Sequence, residues 1–94
     1  MIRIFLSPRL VRSAQRLSAE SRGKAEAALA AVARHFGDPH RHSGLGLRKL
    51  GPGLWECRVD IRLRIVLTQE EDRLRAFDIM GHDEIRTWLK TRKR

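Results

Sequence analysis

Between Trp55 and Leu67 every odd position is apolar: Trp55, Cys57, Val59, Ile61, Leu63, Ile65 and Leu67. The even positions Glu56, Arg58, Asp60, Arg62 and Arg64 carry charge. Period-two alternation marks a strand with one buried and one solvated face. The run exceeds the roughly 5–6 residues of an ordinary strand, so it predicts two antiparallel strands joined near Asp60–Arg62. An odd loop over 60–62 pairs Val59 with Leu63, Cys57 with Ile65 and Trp55 with Leu67, all on one face. A two-residue loop would set arginines among the core residues and is rejected. On the opposite face the accepted register sets Arg58 directly across from Arg64. Opposed like charges are destabilising. Either Glu56 and Asp60 neutralise the pair, or the pair holds an anion.

The rest of the chain follows from the same kind of pattern. Ile2, Ile4 and Leu6 alternate with Arg3, Phe5 and Ser7, which predicts a short first strand. Ser7-Pro8 is a helix start, with serine as N-cap and proline in the first turn. Leu10, Val11, Ala14 and Leu17 follow at helical spacing. Ser18 and Glu20 open a second helix, whose apolar stripe is Ala25, Ala28, Leu29, Val32 and Phe36. Gly37 ends it, with Pro39 close behind, so 8–36 reads as a helical hairpin. Residues 37–53 hold five of the seven glycines and two of the three prolines. They read as a loop with a short strand at Leu45–Lys49 and a turn at Gly51-Pro52-Gly53. Gln69–Asp72 reads as an acidic turn. Leu74–Met80 is a last strand whose apolar residues fall on both faces, which suggests an interior place in the sheet. Gly81 ends it, and Asp83 is expected to cap a final helix carrying Ile85, Trp88 and Leu89. The predicted order is β-α-α-β-β-β-β-α. This is one α+β domain spanning 1–94, with the N-terminal strand and helical hairpin on a mostly antiparallel twisted sheet and a short C-terminal helix.

Composition narrows the function classes. The chain has 94 residues and a net charge of +9, the mark of a small domain attracted to phosphates or to an acidic protein. With no tyrosine, two tryptophans and three phenylalanines, it is poor material for a base-stacking platform. A single cysteine allows no internal disulfide, and Cys57, on the apolar side of the alternation, reads as a small core residue. No apolar run is long enough to span a membrane, and the N-terminus is too short and polar for a signal peptide. The expected compartment is the cytoplasm. His35, His40 and His42 do not fit a structural zinc spacing and read as a solvated loop. No metal and no cofactor is expected.

Three segments together resemble the RelE/ParE family of toxins from toxin–antitoxin pairs, on the RelE side. They are Leu47-Arg-Lys-Leu-Gly-Pro-Gly-Leu-Trp-Glu-Cys-Arg58, Arg64-Ile-Val-Leu67 and Met80-Gly-His-Asp-Glu-Ile85. The element order is similar over nearly the whole chain. The resemblance implies a ribosome-dependent endoribonuclease that cuts mRNA without a metal and is neutralised by an antitoxin protein. It implies that Arg58 and Arg64 sit at the scissile phosphate and that Lys49 lies near another basic position. It implies too that His82 lies near the catalytic positions of several members. Trp88 stands roughly where some members carry a catalytic tyrosine, and indole cannot exchange a proton as phenol can.

The residues suit that chemistry. Attack of a 2′-OH on the adjacent phosphate needs a base, an acid and cations for the charge that builds on phosphorus. Arginine fits the last role, because its fixed fork matches phosphate oxygens and keeps its proton. The plain alternative for Arg58 and Arg64 is a solvated strand face paired with Glu56 and Asp60. His82 belongs to the residue type suited to proton transfer near neutral pH and is a candidate acid or base, or else simply opens the last helix. Glu56 is a candidate base, more readily a partner of Arg58. Asp83 reads as a cap. Arg48, Lys49, Arg62, Arg92 and Lys93 are candidate phosphate binders, the last two on a basic tail suited to rRNA. Two other functions stay open: a ParE-like inhibitor of DNA gyrase, and a family member that only binds a partner.

Overall fold

The structure, a computed structural model, describes residues 1–92. Its elements are β1 (Arg3–Leu6), α1 (Pro8–Gln15), α2 (Ala19–His35), α3 (Pro39–His42), β2 (Leu47–Gly51), β3 (Leu54–Arg58), β4 (Leu63–Glu70), β5 (Arg73–Gly81) and α4 (His82–Arg92). The strands form one sheet in the order β1-β5-β4-β3-β2. β1 runs parallel to β5, and every other neighbouring pair is antiparallel. β5 is therefore interior, as its two-sided apolarity suggests.

The central hairpin has the odd-loop register: Trp55 faces Leu67, Cys57 faces Ile65 and Arg58 faces Arg64. Val59 N–H donates to the Leu63 carbonyl at 2.9 Å, closing the loop. Its tip differs from the alternation, because Ile61 is 89% exposed. A loop residue is freed from the pleat, so the period-two rule stops at the turn.

Each face of the sheet carries its own apolar cluster. Cys57, Ile65, Leu67, Leu74, Ala76 and Ile79 pack with Leu10, Ala25 and Val32 under the helical hairpin. Leu54, Val66, Met80 and Ile85 form the second cluster beneath α4, joined by Phe77, Trp88 and Leu89. Burying a side chain such as Ile65 or Leu67 contributes about 1.5–3 kcal/mol. β5 serves both clusters because a register irregularity at Val66/Leu67 leaves Phe77 unpaired: Val66 faces Asp78 while Leu67 faces Ala76. One extra residue reverses the in-out parity. Leu74 and Ala76 point to the first face before it, and Ile79 regains that face after it.

Local chemistry fixes the helices. Ser7 Oγ accepts from Leu10 N–H at 3.0 Å and donates to the Phe77 carbonyl, so the α1 cap is also pinned to the bulge. Ser18 Oγ caps α2 through Ser21 N–H at 3.1 Å. Arg22 donates to the Ala14 and Leu17 carbonyls at 3.2 and 3.0 Å, satisfying the C-terminal end of α1. α2 stops at His35, with Phe36 extended and Gly37 at φ 101°.

Four expectations change. The loop at 37–46 contains a short helical turn, α3, and β2 begins at Leu47 rather than Leu45. His42 is no solvated residue: its ring stacks on Phe36 at 5.7 Å, and its Nε2 accepts from Gly37 N–H at 3.1 Å. Leu6 is half exposed, because β1 is a sheet edge. α4 starts at His82, so Asp83 lies inside its first turn. The Gly81 N–H there is taken by Glu84 Oε1 at 2.9 Å, the reach-back half of a capping box.

Candidate functional site

The hairpin register sends Glu56, Arg58 and Arg64 to the face that carries α4. Arg48 stands beside Glu56 across β2 and β3, and Arg64 beside Met80 across β4 and β5. His82 follows immediately at the start of α4. Arg48, Glu56, Arg58, Arg64 and His82 thereby line one cleft of about 290 Å³, with Ser43, Gly46 and Leu47. Three arginines share the cleft with a single carboxylate.

The pairing inside the cleft is not the one expected. Glu56 is 6% exposed. Its Oε2 lies 3.1 Å from Arg48 Nη2 and 4.0 Å from Arg64 Nε. Arg58, its expected partner, is exposed and has no ion pair among the described residues. Asp60 neutralises neither arginine. Its carboxylate accepts the backbone N–H groups of Arg62 and Leu63, both at 2.8 Å, and these bonds hold its pKa below the ordinary aspartate value. The hairpin turn consumes that charge, which leaves the cleft with excess positive charge.

Arg64 is held deep in the wall, its side chain 15% exposed. Its Nε is buried without a hydrogen-bond acceptor. A buried charged donor left unsatisfied is expensive and calls for a reason. Beneath the arginines, Cys57 is buried, and burial together with the nearby Glu56 charge pushes its thiol pKa up to about 11. It belongs to the packing of the first cluster.

Gly46 shapes the rim. It has φ +67°, and a Cβ built on it would lie 2.7 Å from Arg58 Cβ. Its carbonyl accepts Arg58 N–H at 3.2 Å. The sequence marks Gly46 only as one glycine of a loop; that it is the seat of Arg58 emerges from the fold. Ser43 carried no sequence signal at all.

Several candidates lie elsewhere. Lys49 is opposite Trp55, on the other face from Arg48, with its ammonium 6.0 Å from the Trp55 ring. Strand alternation separates neighbours in this way. Arg62 is exposed on the hairpin loop and does not line the cleft. Arg92 lies with its guanidinium 5.1 Å from the Trp88 ring. Lys93 is outside the described residues. Trp88 stacks on Phe77 at 5.3 Å and 27°, so at this position an aromatic residue covers the second cluster rather than lining the cleft. Among the described residues no three His, Cys, Asp or Glu side chains gather as a metal site, and no helix is long and apolar enough to cross a membrane.

No protein-family model matches the sequence, and no curated protein does. Solved structures do match in three dimensions. A chain of the archaeal RelE–RelB complex from Pyrococcus horikoshii OT3 superposes with a TM-score of 0.67 at 14% identity, over 85% of this chain and 93% of that one. The YoeB/ParE toxin from Agrobacterium tumefaciens gives 0.64 at 21% identity, over 86% and 99%. A chain of the Escherichia coli DinJ–YafQ complex gives 0.60 at 13% identity, over 90% and 98%. At such identities these likenesses establish the fold: the chain has the α+β fold of RelE-like toxins.

Proposed function

We propose that this chain is the toxin of a toxin–antitoxin pair and acts as a metal-independent endoribonuclease on mRNA at the ribosome. The observation that carries the reading is the cleft in which Arg48, Arg58 and Arg64 outnumber Glu56 beside His82. The orphaned Arg64 Nε has its reason if a phosphate oxygen completes it. Arg58 and Arg64 then clamp the scissile phosphate and stabilise the charge of the pentavalent intermediate. The 2′-oxygen bonds to phosphorus as its proton leaves, and the bond to the 5′-oxygen breaks as that oxygen gains a proton. His82, exposed at the rim, is the group we assign to proton transfer. Glu56 is a buried carboxylate held by arginine. Its role is to orient Arg48 and Arg64. Arg62 and Arg92 remain available to RNA outside the cleft, and Lys49 would meet it only from the other face.

The partner is a neutralising antitoxin. Structural neighbours are complexes of RelE with RelB, YoeB with YefM and YafQ with DinJ, and the chain's charge of +9 suits an acidic binder. The place of action is the cytoplasm, where mRNA is translated.

The test is mRNA cleavage in a reconstituted translation system, with wild type, Arg58→Ala, Arg64→Ala and His82→Ala. Each arginine removed is expected to lower the cleavage rate about 10²–10³-fold, and His82→Ala about 10²–10⁴-fold. Undiminished cleavage by the arginine variants would remove them from the site. Intact mRNA with wild type, together with blocked gyrase supercoiling, would replace this reading with the ParE-like one.

A further inference from the structure

A second basic surface lies on α1. Arg9, Arg12 and Arg16 are spaced three and four residues apart, which stacks them on one helix face. They line a concavity of about 450 Å³ with Ser13, Asp78, Ile79 and Glu84. Asp78 is buried and fully engaged: it accepts from Arg9 Nε at 2.9 Å, Ser13 Oγ at 2.6 Å and Ile79 N–H at 2.8 Å. Its charge cancels that of Arg9. Arg12 and Arg16 are exposed and have neither ion pair nor side-chain acceptor among the described residues. The rim carboxylate Glu84 already accepts Gly81 N–H.

This concavity and the arginine cleft flank the first turn of α4, where His82 lines one and Glu84 the other. At 1.5 Å per residue the three arginines extend about 10 Å along the helix, long enough to face more than one phosphate of a single strand. Apart from Ile79, nothing apolar lines the surface. An acidic protein segment would find there only the buried Ile79 and no aromatic anchor, and aromatic and arginine anchors dominate protein interfaces. A nucleic-acid backbone needs none.

We infer that the α1 face of Arg12 and Arg16, supported by the Asp78-fixed Arg9, is an exosite for the RNA phosphate backbone flanking the cleaved position. It rests on the reading that the cleft takes RNA. The exosite binds without reading bases and bears no part in the chemical step.

The experiment compares His82→Ala with His82→Ala/Arg12→Ala/Arg16→Ala. Binding of a short fluorescent single-stranded RNA is followed by anisotropy across a salt series, with polyglutamate as a second probe. Cleavage is measured in parallel with Arg12→Ala/Arg16→Ala in the otherwise wild-type chain. Losing two phosphate contacts should flatten the slope of log K against log salt by about 1.4, and should raise KM with kcat unchanged. Both substituted residues are exposed, and circular dichroism checks that the fold is kept. RNA binding with an unchanged slope overturns the exosite alone. Weakened polyglutamate binding with an unchanged RNA slope overturns it in favour of a protein-docking face. A flattened slope with no cleavage by wild type upholds the exosite while the proposed activity fails, and absence of any RNA binding overturns the exosite whatever the cleavage assay reads.

Discussion

Gly46→Ala is the most demanding check on how Arg58 is held, and Gly53→Ala supplies its control. Both glycines have left-handed backbone, at φ +67° and +65°. Alanine there carries a penalty of about 1–2 kcal/mol at either site, and the gain from a stiffer unfolded chain is common to both. The surroundings differ. A Cβ at residue 53 meets only the Gln69 carbonyl oxygen at 3.6 Å, an ordinary contact. A Cβ at residue 46 meets Arg58 Cβ at 2.7 Å and Arg58 N at 3.4 Å. These atoms belong to the strand, not to the far end of a flexible side chain, so β3 itself has to yield. Overpacking of this kind costs about 1–3 kcal/mol. Gly46→Ala should therefore be less stable than Gly53→Ala by about 1–3 kcal/mol in urea unfolding, with similar m-values. It should also lower RNA cleavage more than its loss of folded protein explains, because the displaced residue carries a cleft guanidinium. Equal stabilities of the two variants would refute the argument that close approach to Arg58, rather than backbone conformation, requires glycine at position 46.

Asp78→Ala removes the acceptor that ties α1 to β5 through Arg9 and Ser13, and should cost about 1.5–3 kcal/mol for its charged hydrogen bond alone; urea unfolding measures it, and a loss below 0.5 kcal/mol, the roughly neutral range of surface changes, would show the tie to be incidental. Glu71 occupies the β4–β5 turn at φ 57°, a place that favours glycine, so Glu71→Gly should raise stability by about 1 kcal/mol, and a lower Tm would contradict this. Cys57 supplies the pH test: its thiol keeps its proton to about 11 in the folded chain against 9.0 for an unperturbed thiol. The unfolded state thus loses the proton first, and stability from this group is whole below pH 9 and falls as pH rises toward 11, by about 1.4 kcal/mol per unit. The stability difference between wild type and Cys57→Ala, which cancels lysine titration, should shrink over that window, and a constant difference would refute the assignment.

Much of this fold is legible in the sequence because its strongest signals are local. The caps at Ser7 and Ser18 and the parity of residues 55–67 depend on near neighbours. Parity even fixes Arg58 across from Arg64. What escapes is whatever needs a third element. Phe77 is a bulge only because β4 and β5 pair with unequal counts, and alternation within β5 cannot reveal it. Arg48 and Lys49 are equivalent in the sequence, and only the pairing of β2 with β3 puts Arg48 beside Glu56 and turns Lys49 away. Gly46 matters through an atom twelve residues later. The apolar stripe of α1 accounts for its folding without reference to Arg9, Arg12 and Arg16, so the pattern does not mark its arginine face.

The opposed arginines pose an energetic question that charge counting alone does not answer. Two cations across a strand pair repel, and of the two carboxylates near them in sequence, the turn uses Asp60 and Arg48 shares Glu56. Arg58 escapes the full cost because it is exposed and screened by water. Arg64 does not, since it is mostly buried with one N–H unmatched. Exchanging Arg64 for Met removes the unmatched buried donor; leaving Glu56 with one cation fewer is costly where no other cation remains, but Arg48 stays 3.1 Å from its carboxylate. Arg64→Met should accordingly keep its stability while lowering cleavage about 10²–10³-fold. A variant both unstable and inactive would mean that Arg64 is retained for the fold. A stable, inactive one would mean that the strain in the cleft is held for the phosphate.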